Sequence, residues 1–199
     1  MARPQSIPTD QLLKSAMAQF WQHGYLATSL QDLQRISGLP ASSLYNRFGS
    51  KAQLFEAVLE QYVQKVVKGR CDKYLMAGTG LEGIQQYVAS ALNDPNAHWG
   101  CLLVNSQAQL EHIPEAAIAL IREAGQLVCG ALRQALEDAE AKEEIASGQN
   151  LSLLCEQLAL FIQGLLLQST LPHSRPKEQK VALMLAQQLR ANNFSGDVS

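Results

Sequence analysis

Apolar residues recur three and four positions apart along nearly the whole chain, and this helical spacing limits the fold more than any other feature. No segment shows the alternation of apolar and polar residues that is typical of a half-buried strand. Short breaks rich in Gly, Pro, Ser or Asn divide the pattern into separate segments. The sequence therefore predicts an all-α fold of about nine helices.

The breaks and the capping residues set the expected helix bounds. The first helix should begin at Thr9 or Asp10 and end at His23 and Gly24. The later helices are expected at 30–37, 41–48, from Ser50 onward, at 81–94, 99–112, 114 to about 145, 151–171, and from beyond Pro176 to about Asn192. We expect the last residues, 193–199, to form a flexible tail.

Several protein classes do not fit this sequence. The residues before Pro8 lack the apolar stretch of a signal peptide, and we expect no apolar run that spans a bilayer. The four cysteines are too widely spaced for a zinc site, a CxxC motif or a disulfide framework: Cys71, Cys101, Cys129 and Cys155. We therefore expect a cytoplasmic protein with no membrane segment, no metal and no cofactor.

Charge is distributed unevenly along the chain. The 199 residues carry a net charge of −2, but 1–75 hold nine basic and five acidic residues, a net charge of +4. The remainder holds seven basic and thirteen acidic residues, a net charge of −6. A basic N-terminal segment is typical of a surface that faces a polyanion, although a solvated helix face can show the same excess.

Two short amphipathic segments, 30–37 and 41–48, are joined by the tight turn Gly38-Leu39-Pro40. This arrangement is typical of a helix-turn-helix, in which the second helix enters the major groove of DNA. Ser42, Ser43, Asn46 and Arg47 supply polar groups for an outer face, while Leu44 and Phe48 supply an inner face. Thr28-Ser29 and Ser50-Lys51 begin neighbouring helices, whose N-termini attract phosphate, although such residues often act as helix caps alone.

These residues resemble the TetR/AcrR family of one-component bacterial repressors over roughly residues 10–56. The matching residues are Phe20, Gly24, Tyr25, Thr28, Ser29, Leu33, Ser37, Gly38, Ser43, Leu44, Tyr45, Phe48, Ser50, Lys51 and Leu54. The resemblance implies DNA contacts by Thr28, Ser29, Ser42, Ser43, Tyr45, Asn46 and Lys51, to which the residue pattern adds Arg47. Asn46, Arg47 and Arg35 depart from what many members carry, so the operator sequence is not transferred.

The resemblance also implies a division of the chain. Residues 1–56 would form the DNA-binding domain, and 57–192 a helical domain for effector binding and dimerisation. The last two helices would pair with their copies in a homodimer. The helix at 151–171 supports this independently, because its apolar residues surround much of its circumference: Leu151, Leu154, Leu158, Phe161, Ile162, Leu165, Leu166 and Leu167. A central core helix in a monomer is the alternative.

A small-molecule effector is expected to bind between the fifth and the eighth predicted helices. Its candidate contacts are Tyr87, Trp99, Cys101, Leu103, Gln107, Leu110, Ile121 and Phe161, with Glu111 or His112 as polar partners. Any of these can equally be ordinary core or surface residues. Gly100-Cys101-Leu102 also resembles the segment in NemR-type electrophile sensors, so covalent sensing by Cys101 is an alternative.

Two other classes remain as alternatives. A helical enzyme would use Cys101 as nucleophile and His112 as base, but no orienting group is evident. An interaction module would keep the helix-turn-helix only as a scaffold. The groove-facing polar residues and the basic N-terminal segment favour a repressor that binds double-stranded operator DNA instead.

Overall fold

The computed structural model describes residues 7–172, 180–181, 183–185 and 187–189. Throughout these residues the secondary structure is helical, which confirms the predicted all-α class. The α-helices are α1 (Thr9–Ala27), α2 (Leu30–Ser37), α3 (Ala41–Phe48), α4 (Lys51–Tyr62), α5 (Leu81–Leu92), α6 (Leu102–Gln107), α7 (Glu115–Ala141) and α8 (Leu151–Gln168). Residues 180–181, 183–185 and 187–189 are helical as well. The predicted tail, 193–199, lies outside the described residues.

The chain divides into two compact units, and the first combines 1–65 with 101–123. Its core is aromatic: Phe20 of α1 meets Phe55 of α4 edge to face, with ring centroids 4.9 Å apart. Trp21 and Tyr62 form a second edge-to-face pair at 5.0 Å. Such pairs add specific geometry to the burial of apolar surface. They hold α1 against α4, and α2 and α3 pack beside them.

The second unit combines 66–100 with 124–199. Leu81, Ile84 and Leu92 of α5 are almost completely buried in it. The N-terminus of α5 is held by a carboxylate oxygen of Glu144, which accepts the backbone N–H of Leu81 at 2.8 Å. A half-buried ion pair between Arg70 and Asp94 lies in the same unit.

Helix α4 is followed by two π-helical segments, Val63–Lys68 and Cys71–Leu75. The start of this helix at Ser50 was predicted, but these wide turns were not. Ser50 does cap α4, since its hydroxyl oxygen accepts the N–H of Gln53 at 3.1 Å.

Four predicted helices are shorter than expected, and the first of them, α5, ends at Leu92 rather than at 94. The predicted helix at 99–112 is reduced to α6, because Gly100 (φ 74°) separates it from a 3₁₀ turn at Ala97–Trp99. Residues after Gln107 form turns that lead to Pro114, and a residue before proline avoids the helical region. Helix α7 ends at Ala141 rather than near 145, since Glu143 is left-handed (φ 60°). Helix α8 ends at Gln168 rather than at 171.

Helix α8 corrects the expectation that no apolar run is long enough to cross a bilayer. By length and composition alone, Leu151–Gln168 could do so; it is the one such helix among the described residues. Its buried residues form a single stripe: Cys155, Leu158, Ile162 and Leu165. Much of its remaining apolar surface is exposed in the single chain, including Leu160 at 69%.

Candidate nucleic-acid interface

The turn between α2 and α3 is fixed by short-range hydrogen bonds. Gly38 adopts the left-handed conformation (φ 66°), and its N–H donates to the carbonyl of Gln34 at 2.8 Å. The buried hydroxyl of Ser37 donates to the carbonyl of Leu33 at 2.6 Å and accepts the N–H of Leu39 at 3.2 Å. These bonds define the direction in which α3 leaves α2.

Helix α3 has a buried side and an exposed side. Leu44 is 3% exposed and anchors the helix in the core of its unit, while Phe48 is half-buried. The exposed side chains are those that sequence reasoning assigned to DNA: Ser42, Tyr45, Asn46 and Arg47, with Ser43 half-buried beside them. A short helix with one buried anchor and an outer polar face has the form of a recognition helix.

Arg47 has a partner within the protein. Its guanidinium Nη1 donates to the backbone carbonyl of Ile7, 40 residues away, at 2.7 Å. The side chain stays exposed, so Arg47 both borders the outer face of α3 and holds the chain that leads into α1.

The N-terminus of α2 carries a reciprocal capping box. The Ser29 hydroxyl oxygen accepts the N–H of Asp32 at 3.1 Å, and the Asp32 carboxylate accepts the N–H of Ser29 at 3.0 Å. The hydrogen bonds from Ser29 lower the pKa of Asp32 below its ordinary value. Ser29 is exposed, whereas Thr28 is fully buried and donates its hydroxyl to the carbonyl of Gly24 at 2.8 Å. The Thr28 side chain therefore serves the fold and is not available to a phosphate.

Lys51 lies in the first turn of α4. Its ammonium nitrogen stands 4.3 Å from the centroid of the Tyr25 ring, a cation–π contact. Burial lowers the pKa of Lys51 and raises that of Tyr25. Sequence reasoning named Lys51 but missed the role of Tyr25 as its support, although Tyr25 directly follows Gly24 in the family pattern.

The predicted effector residues are divided between the two units. Tyr87, Trp99 and Phe161 belong to the unit that contains α5 and α8; Cys101, Leu103, Gln107, Leu110 and Ile121 belong to the unit that contains α1–α4. Tyr87, Leu103 and Ile121 are buried, and Gln107 and Leu110 are exposed. Glu111 and His112 are exposed as well. The effector site remains a prediction from the sequence.

The cysteines have contrasting environments. The Tyr62 hydroxyl donates to the half-buried Cys101 Sγ at 3.6 Å. The Cys155 thiol donates to the carbonyl of Cys129 at 3.1 Å, a proximity that the sequence spacing did not predict. Burial, followed by the neighbouring Cys129, raises the pKa of Cys155 to about 11. Burial likewise raises the pKa of Cys71 to about 11. Across the part of the chain that is described, no group of three or more metal-ligating side chains comes together.

The helix-turn-helix geometry agrees with comparisons to known proteins. The family model for "Bacterial regulatory proteins, tetR family" matches residues 12–58. The "HTH-type transcriptional repressor ComR" of Escherichia coli (strain K12) is 30% identical over 167 residues, which cover 82% of this chain and 80% of ComR. The chain belongs to the TetR family. It is therefore a TetR-family transcriptional regulator with a helix-turn-helix DNA-binding domain, and the enzyme alternative is set aside because the family and its relatives are regulators.

Solved structures of other TetR-family proteins share the fold. One is a cysteine mutant of the regulator CifR, described as complexed with 26-base-pair operator DNA and as the apo protein. It is 27% identical to this chain, with a TM-score of 0.77, and the match covers 93% of this chain and 98% of CifR. The reduced form of NemR from E. coli has a TM-score of 0.79 at 23% identity, covering 90% of this chain and 95% of NemR. At that identity the likeness to NemR establishes the TetR fold and not its chemistry.

Proposed function

We propose that this TetR-family protein is a homodimeric repressor in the bacterial cytoplasm, that it binds a palindromic operator, and that a small-molecule effector releases it. The observation that carries the DNA part is the outer face of α3, where Ser42, Tyr45 and Asn46 are exposed while Leu44 anchors the helix. Ser29 and Lys51, at the N-termini of α2 and α4, supply the proposed phosphate contacts. The Thr28 side chain is left out because it is buried.

The direct experiment is a gel retardation assay with the purified protein and its own promoter fragment. We expect a shifted band that survives excess random DNA, because base contacts add to the electrostatic term. An interaction module that kept the helix-turn-helix only as a scaffold would give no specific shift. That result would remove the proposed function.

The dimer part rests on the two sides of α8. An α-helix turns about 100° per residue, so residues seven apart lie nearly on one line. The exposed Leu153, Leu160 and Leu167 follow this spacing, and their line is opposite the buried stripe of Cys155, Leu158, Ile162 and Leu165. The buried stripe thus packs in the protomer core. We propose that the exposed leucines pack against a second copy of α8. The predicted final helix falls partly outside the described residues; Val181, Leu183 and Met184 are exposed.

A two-fold dimer presents identical recognition helices to two half-sites. Their centres should lie about one helical turn, roughly 34 Å, apart or slightly more. A footprint on the promoter should therefore cover an inverted repeat. A protected sequence without this symmetry would contradict the dimer.

The effector part follows from a population shift. A ligand that prefers a conformation in which the recognition helices are wrongly spaced competes with DNA for one dimer. To lower operator affinity a hundredfold, it must favour that conformation by about 2.7 kcal/mol, within the usual range of coupling energies. An apolar effector should raise the melting temperature of the protein and lower its operator affinity, and operator DNA should weaken effector binding by the same factor, since coupling is reciprocal.

Electrophile sensing through Cys101 is the second candidate, favoured by the half-buried thiol and its contact with Tyr62. Under this mechanism Cys101→Ser binds the operator normally but is not released by a quinone, an aldehyde or hypochlorite. Cys71→Ser is the matched control, because its buried thiol has a raised pKa and should not react. Normal release of the Cys101→Ser variant would assign Cys101 to packing and leave a reversible ligand as the effector.

A further inference from the structure

Helix α1 contains a break near its C-terminal end. Gly24 has φ 76° and ψ 172°, which is not a helical conformation, and the chain then continues through Tyr25 to Ala27. Such a break interrupts the regular i to i−4 bonding, so the backbone N–H groups that follow it need partners from elsewhere.

One of these partners comes from a distant part of the chain. The side-chain oxygen Oε1 of Gln109 accepts the N–H of Leu26 at 3.1 Å, across 83 residues. The same side chain fills the space beside Gly24: a Cβ placed there would lie 2.3 Å from Nε2 of Gln109. Gly24 therefore gives both the positive φ and the room that Gln109 needs.

Gln109 is itself firmly placed in the connection between α6 and α7. Its backbone N–H donates to the carbonyl of Ser106 at 3.0 Å, and its carbonyl accepts the N–H of His112 at 2.9 Å. This connection belongs to the same compact unit as α1–α4, although it lies more than fifty residues after α3.

The segment that Gln109 holds leads directly to the DNA-binding helices. Two residues after Leu26, the buried Thr28 bonds back to Gly24, and Ser29 then caps α2. No glycine or proline provides slack between Leu26 and Ser29. A change in the position of Leu26 is thus passed to α2 and, through the fixed turn at Gly38, to α3.

We propose that Gln109 is a positioning residue for operator binding, which touches no DNA but sets the orientation of α2 and α3 through its hydrogen bond to Leu26. The proposal rests on the operator binding proposed above.

The test compares two substitutions of nearly equal size. Gln109→Met removes the acceptor oxygen, whereas Gln109→Glu keeps one. Operator affinity should fall roughly threefold in Gln109→Met, on the scale of one net hydrogen bond to a backbone donor that water can also reach. Gln109→Glu, which keeps an acceptor oxygen, should retain most of the wild-type operator affinity. Affinity for random DNA should stay unchanged in both, because backbone contacts tolerate a small change in helix orientation.

Hydrogen exchange gives a readout that does not depend on DNA. The amide of Leu26 should lose protection in Gln109→Met and keep it in Gln109→Glu. Gln126→Met, an exposed substitution on α7, is the matched control and should leave exchange and operator affinity unchanged.

Three results would overturn the proposal. They are wild-type operator affinity in Gln109→Met, an equal loss in Gln109→Glu, or an equal loss on operator and random DNA accompanied by a lower melting temperature. A wild-type protein that never binds its promoter specifically is a different outcome: it contradicts the proposed function, while the exchange experiment still tests the hydrogen bond.

Discussion

Lys51 is the residue whose proposed role is most easily measured. Its ammonium group rests on the Tyr25 ring at the N-terminus of α4, the kind of position that meets a phosphate. Lys51→Ala should weaken binding to operator and random DNA alike and lower the slope of log affinity against log salt by about one, the loss expected for one phosphate contact. Titrations at several salt concentrations measure both. An unchanged slope would place Lys51 away from the phosphates.

Asn46 should behave differently, because it is exposed on α3 and has both a donor and an acceptor for a base edge. Asn46→Ala should relax the preference at one operator position at a cost of roughly 1–3 kcal/mol, and leave affinity for random DNA nearly unchanged. A panel of operators with single base-pair changes locates that position. Equal losses of affinity for operator and random DNA would show that Asn46 does not contact a base.

Asp10 makes a prediction about pH. Hydrogen bonds first from Lys65 and then from Lys14 lower the pKa of its carboxyl from 3.8 to about 2. A lowered pKa stabilises the folded state above pH 3.8, and this contribution is lost as pH falls towards about 2. In melting experiments over that range, the wild type should lose stability more steeply than Asp10→Asn. Since these groups are exposed, high salt should reduce the difference, and parallel curves at low salt would contradict the assignment.

At the scale of the helix, the N-terminus of α2 combines two roles that can be separated. Ser29→Ala removes the cap and should destabilise the protein by about 1 kcal/mol. Ser29→Asn retains a good cap without a charge, so its melting temperature should stay near that of the wild type. Ser29→Asp also places its carboxylate against that of Asp32, and it should therefore melt at a lower temperature than Ser29→Asn. Only Ser29→Asp places a negative charge against the proposed phosphate, and it should weaken binding to all DNA sequences. Equal binding by the Asp and Asn variants would show that Ser29 is a cap alone.

For the whole molecule, the exposed apolar stripe of α8 tests the proposed dimer. Leu160 is 69% exposed in the single chain, so Leu160→Glu should fold normally yet sediment as a monomer with little operator affinity. Gln126→Glu introduces the same group on α7 and should remain dimeric. The buried Leu165 is unsuitable for this test because a charge there would disrupt the protomer core. A monomeric wild type, or one that partitions into lipid vesicles through α8, would contradict the dimer.

Much of the local structure could be predicted from the sequence by itself. Helix caps and turns depend on residues only a few positions apart in the sequence. Examples are the Ser29 cap, the left-handed Gly38 and the start of α4 after Ser50. The exposed and buried sides of α3 likewise follow from helical spacing, which is a local property. These features fixed the all-α class and the candidate DNA-reading residues.

Only the tertiary structure decided the contacts between residues far apart in the chain. Leu160 and Leu165 are equally apolar, and the sequence does not distinguish them. The packing of α8 buries Leu165 and leaves Leu160 exposed. Thr28 and Ser29 are equally plausible caps in the sequence, but in the fold the Ser29 hydroxyl accepts the N–H of Asp32, whereas the Thr28 hydroxyl bonds back to Gly24. The partners of Leu26 and Cys155 lie 83 and 26 residues away, and sequence spacing carries no information about such approaches. Local propensity determines which segments are helices, but the packing of the helices determines which side chains meet.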